Sequence, residues 1–379
     1  TYRERILQRS FRDVEGTVYV FLDEVQKAPD WADTLKYYTD TYSNLQFVAT
    51  GSISTLIESD AGDTLIGRMD EQLLFPLKFV EYVRYDDTFE NDDIYEDSTE
   101  LRASLKESLY DDNPTSFTGE LSRFYGTRQD VRPRLKALTD EYLLKGGYPG
   151  VLDVGIVESY QHLDTDLRNT VTGDLSNVFD VPKPQKVLKL LSLLADSGGS
   201  KISKASLAES ADIHRETVDR YLNHLEDFFL INRVPKYTGS EYASGGWPKI
   251  YLQDVGLHNT LAGTLSERTL QNPEAMGGIL ETVVCDHTKR LQFNLSNAQN
   301  ADVYYNDDRG EVDFVVDGAE YLLPIEVKNG DSTQRDLRGL EAFVDRNDLS
   351  FGLCVNNADV LEYDGTVVHV PAWMYLFFC

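Results

Sequence analysis

The sequence has no run of about 18 consecutive apolar residues, so no segment reads as a membrane-spanning helix. Its first stretch, "TYRERILQRSF", lacks the apolar core of a secretory signal. It opens on Thr1 and reads as the interior of a longer protein. Cysteine is scarce: Cys285, Cys354 and Cys379 are widely spaced, with no C-x-x-C pair. This excludes a cysteine zinc cage and a disulfide framework, and fits a reducing cytoplasm. Positive charge is also short. There are 36 Lys and Arg against 64 Asp and Glu, a formal net charge of −28. Such a charge favours solubility and pushes the compact state apart. Molar salt, with a Debye length of about 3 Å, removes most of that repulsion. The acids are spread along the whole chain and form no single tail. The composition therefore points to a halophile's cytoplasm in preference to a mesophilic protein with a basic partner.

What is present suffices for packed cores. Hydrophobic residues make up 41% of 379, a length that suggests two or three domains. The stretch "VYVFLDEVQKAPDW" (18–31) is a β-rich run that ends at Asp23 and Glu24. A second run, "LQFVATGS" (45–52), ends in small polar residues. Both are expected to be strands of a parallel sheet covered on both faces. Between them Trp31, Leu35, Tyr38 and Tyr42 share a helical face, with Asp30 as the expected N-cap. Strand, helix, strand is a βαβ unit, and its functional edge is the carboxyl end of the strands. Asp23, Glu24, Thr50 and Ser52 all belong to that edge. The pattern suits phosphoryl transfer from ATP, with Asp23 on Mg2+, Glu24 orienting the attacking water and Ser52 sensing the γ-phosphate. The plainer reading is an acidic pair that merely ends a strand. A phosphate loop of the form G-x-x-x-x-G-K-[ST] occurs nowhere in the sequence. The nearest imitation, "KGGYPG" (145–150), has its lysine before the glycines and no strand leading in.

These stretches are followed by "LIGRMDEQLLFPLKFVEY" (65–82), "YLLKGGYPGVL", "PKIYLQDVGL", "GGILETVV", "EVDFVV" and "IEVKNG". In this order they resemble the prokaryotic AAA-type ATPases that carry a C-terminal domain of unknown function, over nearly the whole chain. The resemblance implies that Asp23 and Glu24 are the Walker B pair and that Ser52 or Thr50 is the sensor. It implies that Arg68 neutralises phosphate charge, in cis or from a neighbouring subunit of a homo-oligomer. The plainer reading of Arg68 is a surface ion pair. The family places its phosphate loop upstream of Walker B. The expectation is therefore an N-terminally truncated chain with an incomplete α/β P-loop core over residues 1–85, ATP as ligand and Mg2+ as cofactor.

Residues 86–113 carry eleven acids and two bases and read as an acidic insertion, a solvated loop with a short helix near 101–109. Residues 114–182 read as a helical lid, interrupted by the "KGGYPG" turn. Residues 183–240 read as a winged helix, with helices at 206–210 and 214–227 and a hairpin beginning near 229. Its second helix would offer His214, Arg215, Thr217, Arg220 and Asn223 to DNA. Residues 201–236 hold six bases and six acids, a neutral patch in a strongly acidic chain. The alternative is a winged helix used only to pack domains together.

Residues 241–379 contain "EVDFVVDGAEYLLPIEVKNG" (311–330), which alternates as two strands. Asp313 falls on the first, Glu326 and Lys328 on one face of the second, and Glu281 on a preceding helix. This arrangement resembles the PD-(D/E)xK nuclease core. There the carboxylates of Glu281, Asp313 and Glu326 would hold Mg2+, and Lys328 would stabilise developing charge. The expected whole is an ATPase that acts on DNA or is regulated by it. The alternatives are a metal-dependent nuclease, a non-cleaving DNA-binding scaffold, and a nucleotide-binding interaction module.

Overall fold

The computed structural model describes residues 10–51, 65, 67–70, 72–90, 93–239, 246–264, 266–295, 302–308, 310–318, 320–330, 333 and 335–379. The chain divides into two compact units, 1–75 and 76–379.

In the first unit, strands β1 (Val18–Leu22) and β2 (Leu45–Ala49) pair in parallel, from Val18 opposite Leu45 to Leu22 opposite Ala49. Parallel neighbours need a crossover, and helix α1 (Trp31–Thr41) supplies it. Trp31, Ala32 and Leu35 are buried with Val25 and Leu65, while Phe11, Tyr42 and Leu45 form a second small cluster. Two expectations need correcting. The strands are not covered on both faces: Tyr19 and Phe21 are 64% and 74% exposed. Strand side chains alternate, so the less exposed Val18, Val20 and Leu22 lie on one face and Tyr19 and Phe21 on the other. Asp30 stands at the N-cap of α1 with φ of 53°, and its side chain makes no capping bond. Its carbonyl accepts from the Thr34 amide and hydroxyl instead, at 3.1 and 2.9 Å.

The second unit begins with helices α2 (Phe79–Val83), α3 (Ile94–Tyr110), α4 (Thr115–Thr127), α5 (Arg132–Lys145) and α6 (Ile156–Asn169). Helix α3 corrects the solvated-loop reading of 86–113. Its Ile94, Leu101, Leu105 and Leu109 recur on one face and are buried, and its acids lie largely around them. The acidic composition hid a helix whose stripe is narrow but sufficient. Helices α7 (Pro184–Ser197), α8 (Lys204–Ala211) and α9 (Arg215–Asp227) lead into an antiparallel ribbon of β3 (Ile231–Val234) and β4 (Lys249–Leu252). After α10 (Val255–Ala262) and α11 (Pro273–Leu295) comes a mixed six-stranded sheet. Its strands are β5 (Asp302–Asn306), β6 (Val312–Asp317), β7 (Leu322–Lys328), β8 (Gly352–Asn356), β9 (Glu362–Tyr363) and β10 (Val367–Pro371). They are ordered β5-β6-β7-β8-β10-β9, with β7, β8 and β10 parallel. Helix α12 (Arg338–Arg346) packs against β6, β7 and β8, and α11 and the final helix α13 (Ala372–Phe378) join the main core.

The "KGGYPG" segment is a structural joint. Gly147 donates its amide to Asp254 at 2.8 Å, and its carbonyl accepts from Leu77 at 2.7 Å. A side chain on Gly147 would collide with the Leu77 carbonyl, its Cβ only 2.0 Å from the oxygen.

Candidate functional site

The carboxyl ends of β1 and β2 bring Asp23, Glu24 and Thr50 together. The strand ladder runs past the strands: Thr50 donates its amide to Leu22 O at 2.8 Å, and Val25 donates to Thr50 O at 3.0 Å. The Thr50 hydroxyl donates to Asp23 Oδ1 at 2.5 Å and accepts from the Glu24 amide at 3.4 Å. Glu24 sits in the left-handed region, φ 53° and ψ 51°. That conformation costs a non-glycine residue roughly 1–2 kcal/mol and turns the chain sharply just past the strand. Asp23 is exposed, Glu24 is half-buried, and Lys27 lies 4.0 Å from Glu24. Ser52 lies outside the described residues. Arg68 donates through Nε and Nη2 to the two carboxylate oxygens of Asp40 on α1, at 2.9 and 3.5 Å.

On α9, Arg215, Arg220 and Asn223 are exposed and Thr217 is half-buried, while Val218, Tyr221, Leu222 and Leu225 face inward. His214 is the N-cap residue of α9. Asn223 Oδ1 accepts from Arg233 at 2.6 Å, and Arg233 pairs with Glu226 at 2.7 Å. Four of the six bases in this stretch are held by acids: Lys201 by Asp307, Lys204 by Asp219, Arg233 by Glu226, and Lys236 by Asp307 and Asp308.

The third group lies on the six-stranded sheet. Strands β6 and β7 pair antiparallel from Phe314 opposite Ile325 to Asp317 opposite Leu322, and Asp313 and Glu326 are the next residues along each strand. Both carboxylates are buried. Asp313 Oδ2 accepts from the Val327 amide at 3.0 Å, and Lys328 donates to Glu326 Oε1 at 2.6 Å. Glu281, on α11, accepts from the Tyr251 hydroxyl at 3.2 Å. Burial, and then the neighbouring Asp313, push both Glu281 and Glu326 up to about 8. Sequence reasoning missed Lys249. This β4 lysine is only 3% exposed, with Nζ 3.1 Å from Asp313 Oδ1 and 2.9 Å from Glu311 Oε1. Burial opposes its charge, but Asp313, Glu281 and Glu311 outweigh that, and its pKa is raised. The available signal was the alternation in "PKIYL", which sets Lys249 and Tyr251 on one side of a strand. Among the described residues, no group of three or more His, Cys, Asp or Glu side chains is gathered to hold a metal ion.

Comparison with known proteins adds to these observations. Residues 2–83 match an AAA domain. Residues 136–268 and 276–375 match two domains of unknown function, DUF8612 and DUF4143. An AAA domain is a nucleotide-binding, ATPase-type domain, and ATP with Mg2+ is the chemistry this match supports. An uncharacterized protein of Methanocaldococcus jannaschii, MJ1637, is 25% identical over 94% of this chain and 70% of its own length. An uncharacterized protein of Haemophilus influenzae is 21% identical over 86% of this chain and 69% of its own. One of Mycobacterium tuberculosis, Rv2008c, is 28% identical over 48% of this chain and 40% of its own. No solved structure matches the chain. Among the described residues, no helix is long and apolar enough to cross a membrane.

Proposed function

We propose that the protein is an ATPase of the AAA type in which Asp23, Glu24 and Thr50 form the metal- and water-facing edge of the nucleotide site. The observation that carries this reading is the 2.5 Å bond from the Thr50 hydroxyl to Asp23, which ties the carboxyl ends of two neighbouring parallel strands. The match of residues 2–83 to an AAA domain supports it. The donor set fits Mg2+, because an exposed carboxylate and a hydroxyl are hard oxygen ligands. When bound with nucleotide, the ion would be held through Asp23 and would neutralise phosphate charge. Thr50 fixes the Asp23 carboxylate in one orientation. Glu24 orients and polarises the attacking water. Ser52 is the proposed γ-phosphate sensor, and Arg68 the phosphate-neutralising arginine once it leaves Asp40.

The rest of the chain is proposed to act on DNA. The proposed lid spans 114–182, the winged helix 183–240 and the nuclease-like part 241–379. Three helices followed by an antiparallel ribbon support the second, with Arg215, Thr217, Arg220 and Asn223 toward DNA. Asp313 on β6 beside Glu326 and Lys328 on the neighbouring β7 supports the third. The Lys249 and Lys328 ion pairs on these carboxylates favour a second reading, a DNA-binding scaffold that does not cleave.

Glu24→Gln in the intact protein tests the ATPase reading. It removes the water-orienting carboxylate and leaves Asp23. Nucleotide binding should persist while the turnover number falls by about 100-fold or more. Unchanged turnover would sink the assignment.

A further inference from the structure

Lys249 does not belong to the helix or the sheet that carry the carboxylates. It comes from β4, the second strand of the ribbon that follows α9. The ribbon is stitched to the sheet edge just past β3: Tyr237 donates to Tyr305 O at 2.7 Å, and Tyr305 donates to Pro235 O at 2.9 Å. From this seat Lys249 places its ammonium against Asp313 at 3.1 Å and Glu311 at 2.9 Å. Tyr251, two residues on, reaches Glu281 from the same strand. Glu326 keeps one oxygen, Oε2, buried with no hydrogen-bond partner among the described residues. A buried carboxylate oxygen without a partner is costly unless something else serves it. Hard carboxylate oxygens and an unserved one are the donors a divalent cation takes, and such an ion needs only one or two carboxylates from the protein.

We propose that Lys249 is an internal cation seated where a divalent ion would bind between Asp313 and Glu326, so that the β3–β4 ribbon gates a metal site. The reading follows from charge. A buried ammonium on Asp313 neutralises the carboxylate and repels a second cation from it. Withdrawal of β4 frees Asp313 and releases Tyr251 from Glu281 in one movement, because both contacts come from one strand. The segment that leads from α9 thus couples to the carboxylate centre without touching Lys328, which stays on Glu326 from β7. This inference rests on the metal-centre reading of Asp313 and Glu326.

The test is a Mn2+ titration of this chain followed by electron paramagnetic resonance. Lys249→Gln should bind Mn2+ at least about tenfold more tightly than the unchanged protein. Asp313→Asn in the Lys249→Gln background should remove the gain. Glu311→Gln loosens the seat of Lys249 from a more exposed position and should give a smaller gain of the same sign. It decides the matter if Lys249→Gln does not fold. If the unchanged protein binds as tightly as both variants, and Asp313→Asn abolishes the binding, the gate is wrong and the metal centre stands. If Asp313→Asn leaves Mn2+ binding unchanged both alone and in the Lys249→Gln background, the ion is held elsewhere on the chain and the metal reading itself falls.

Discussion

Asp254 shows how much one buried carboxylate can do. It accepts from Gly147 and Gly256 at 2.8 Å each and from Leu257 at 3.2 Å, so it caps α10 and holds the glycine joint in one stroke. Burial raises its pKa to about 6, outweighing the three amides, with Asp286 pushing the same way. Arg290, Tyr142 and Tyr148 are further ionisable groups in its surroundings. The folded-state value lies above the ordinary 3.8, so the native protein holds this proton more tightly than the unfolded chain. Its contribution is greatest at low pH and declines as pH rises from about 4 through 6. Asp254→Asn removes the titration and spoils the cap. The stability gap between parent and variant, read by urea denaturation, should narrow by roughly 2–3 kcal/mol between pH 4 and pH 7. A gap that widens with pH would show a carboxylate whose amide bonds dominate.

At the scale of elements, periodicity was legible wherever one face meets a core. Helices α8 and α9 begin and end within two residues of the expected 206–210 and 214–227. Val218, Leu222 and Leu225 are buried as their spacing requires. Composition misled where charge masks a stripe, as in α3, and where an apolar run is covered on one face only, as in β1. The candidate sites were half legible. Asp23, Glu24 and Thr50 could be placed at one sheet edge, and Asp313, Glu326 and Lys328 on adjacent strands, because strand geometry is local. Lys249 could not, since its partners, Asp313 on β6 and Glu311 just before it, lie more than sixty residues away and only the tertiary fold brings them together. The same element view makes α9 testable. Arg215 and Arg220 are exposed on a helix whose neighbouring bases are already engaged by acids. If α9 meets the DNA backbone, Arg215→Ala and Arg220→Ala should each weaken binding across all sequences and lower the salt slope by about 1. Unaltered affinity in the double variant would leave α9 as a packing helix.

The whole molecule is governed by its charge of −28. Ion pairs answer part of it, and the chain uses its bases economically. Arg123 alone serves Asp97, Glu100 and Glu120, and Lys236 serves Asp307 and Asp308. Exposed pairs of this kind are worth about 0–1 kcal/mol each and weaken in salt. Two salt effects therefore oppose one another: lost attraction within pairs and lost repulsion among unpaired acids. With 36 bases for 64 acids, one-to-one pairing leaves 28 acids over, and the repulsion of that excess acts over the whole surface. Screening of repulsion should win. The melting temperature is expected to rise as KCl goes from dilute to molar, steepest at the dilute end, where the Debye length is about 30 Å at 0.01 M and contracts fastest with added salt. Equal concentrations of NaCl should give the same curve, because screening depends on ionic strength and not on the identity of the cation. A flat or falling curve in both salts would remove the halophilic reading. A rise in KCl alone would replace general screening with specific cation binding to the acidic surface.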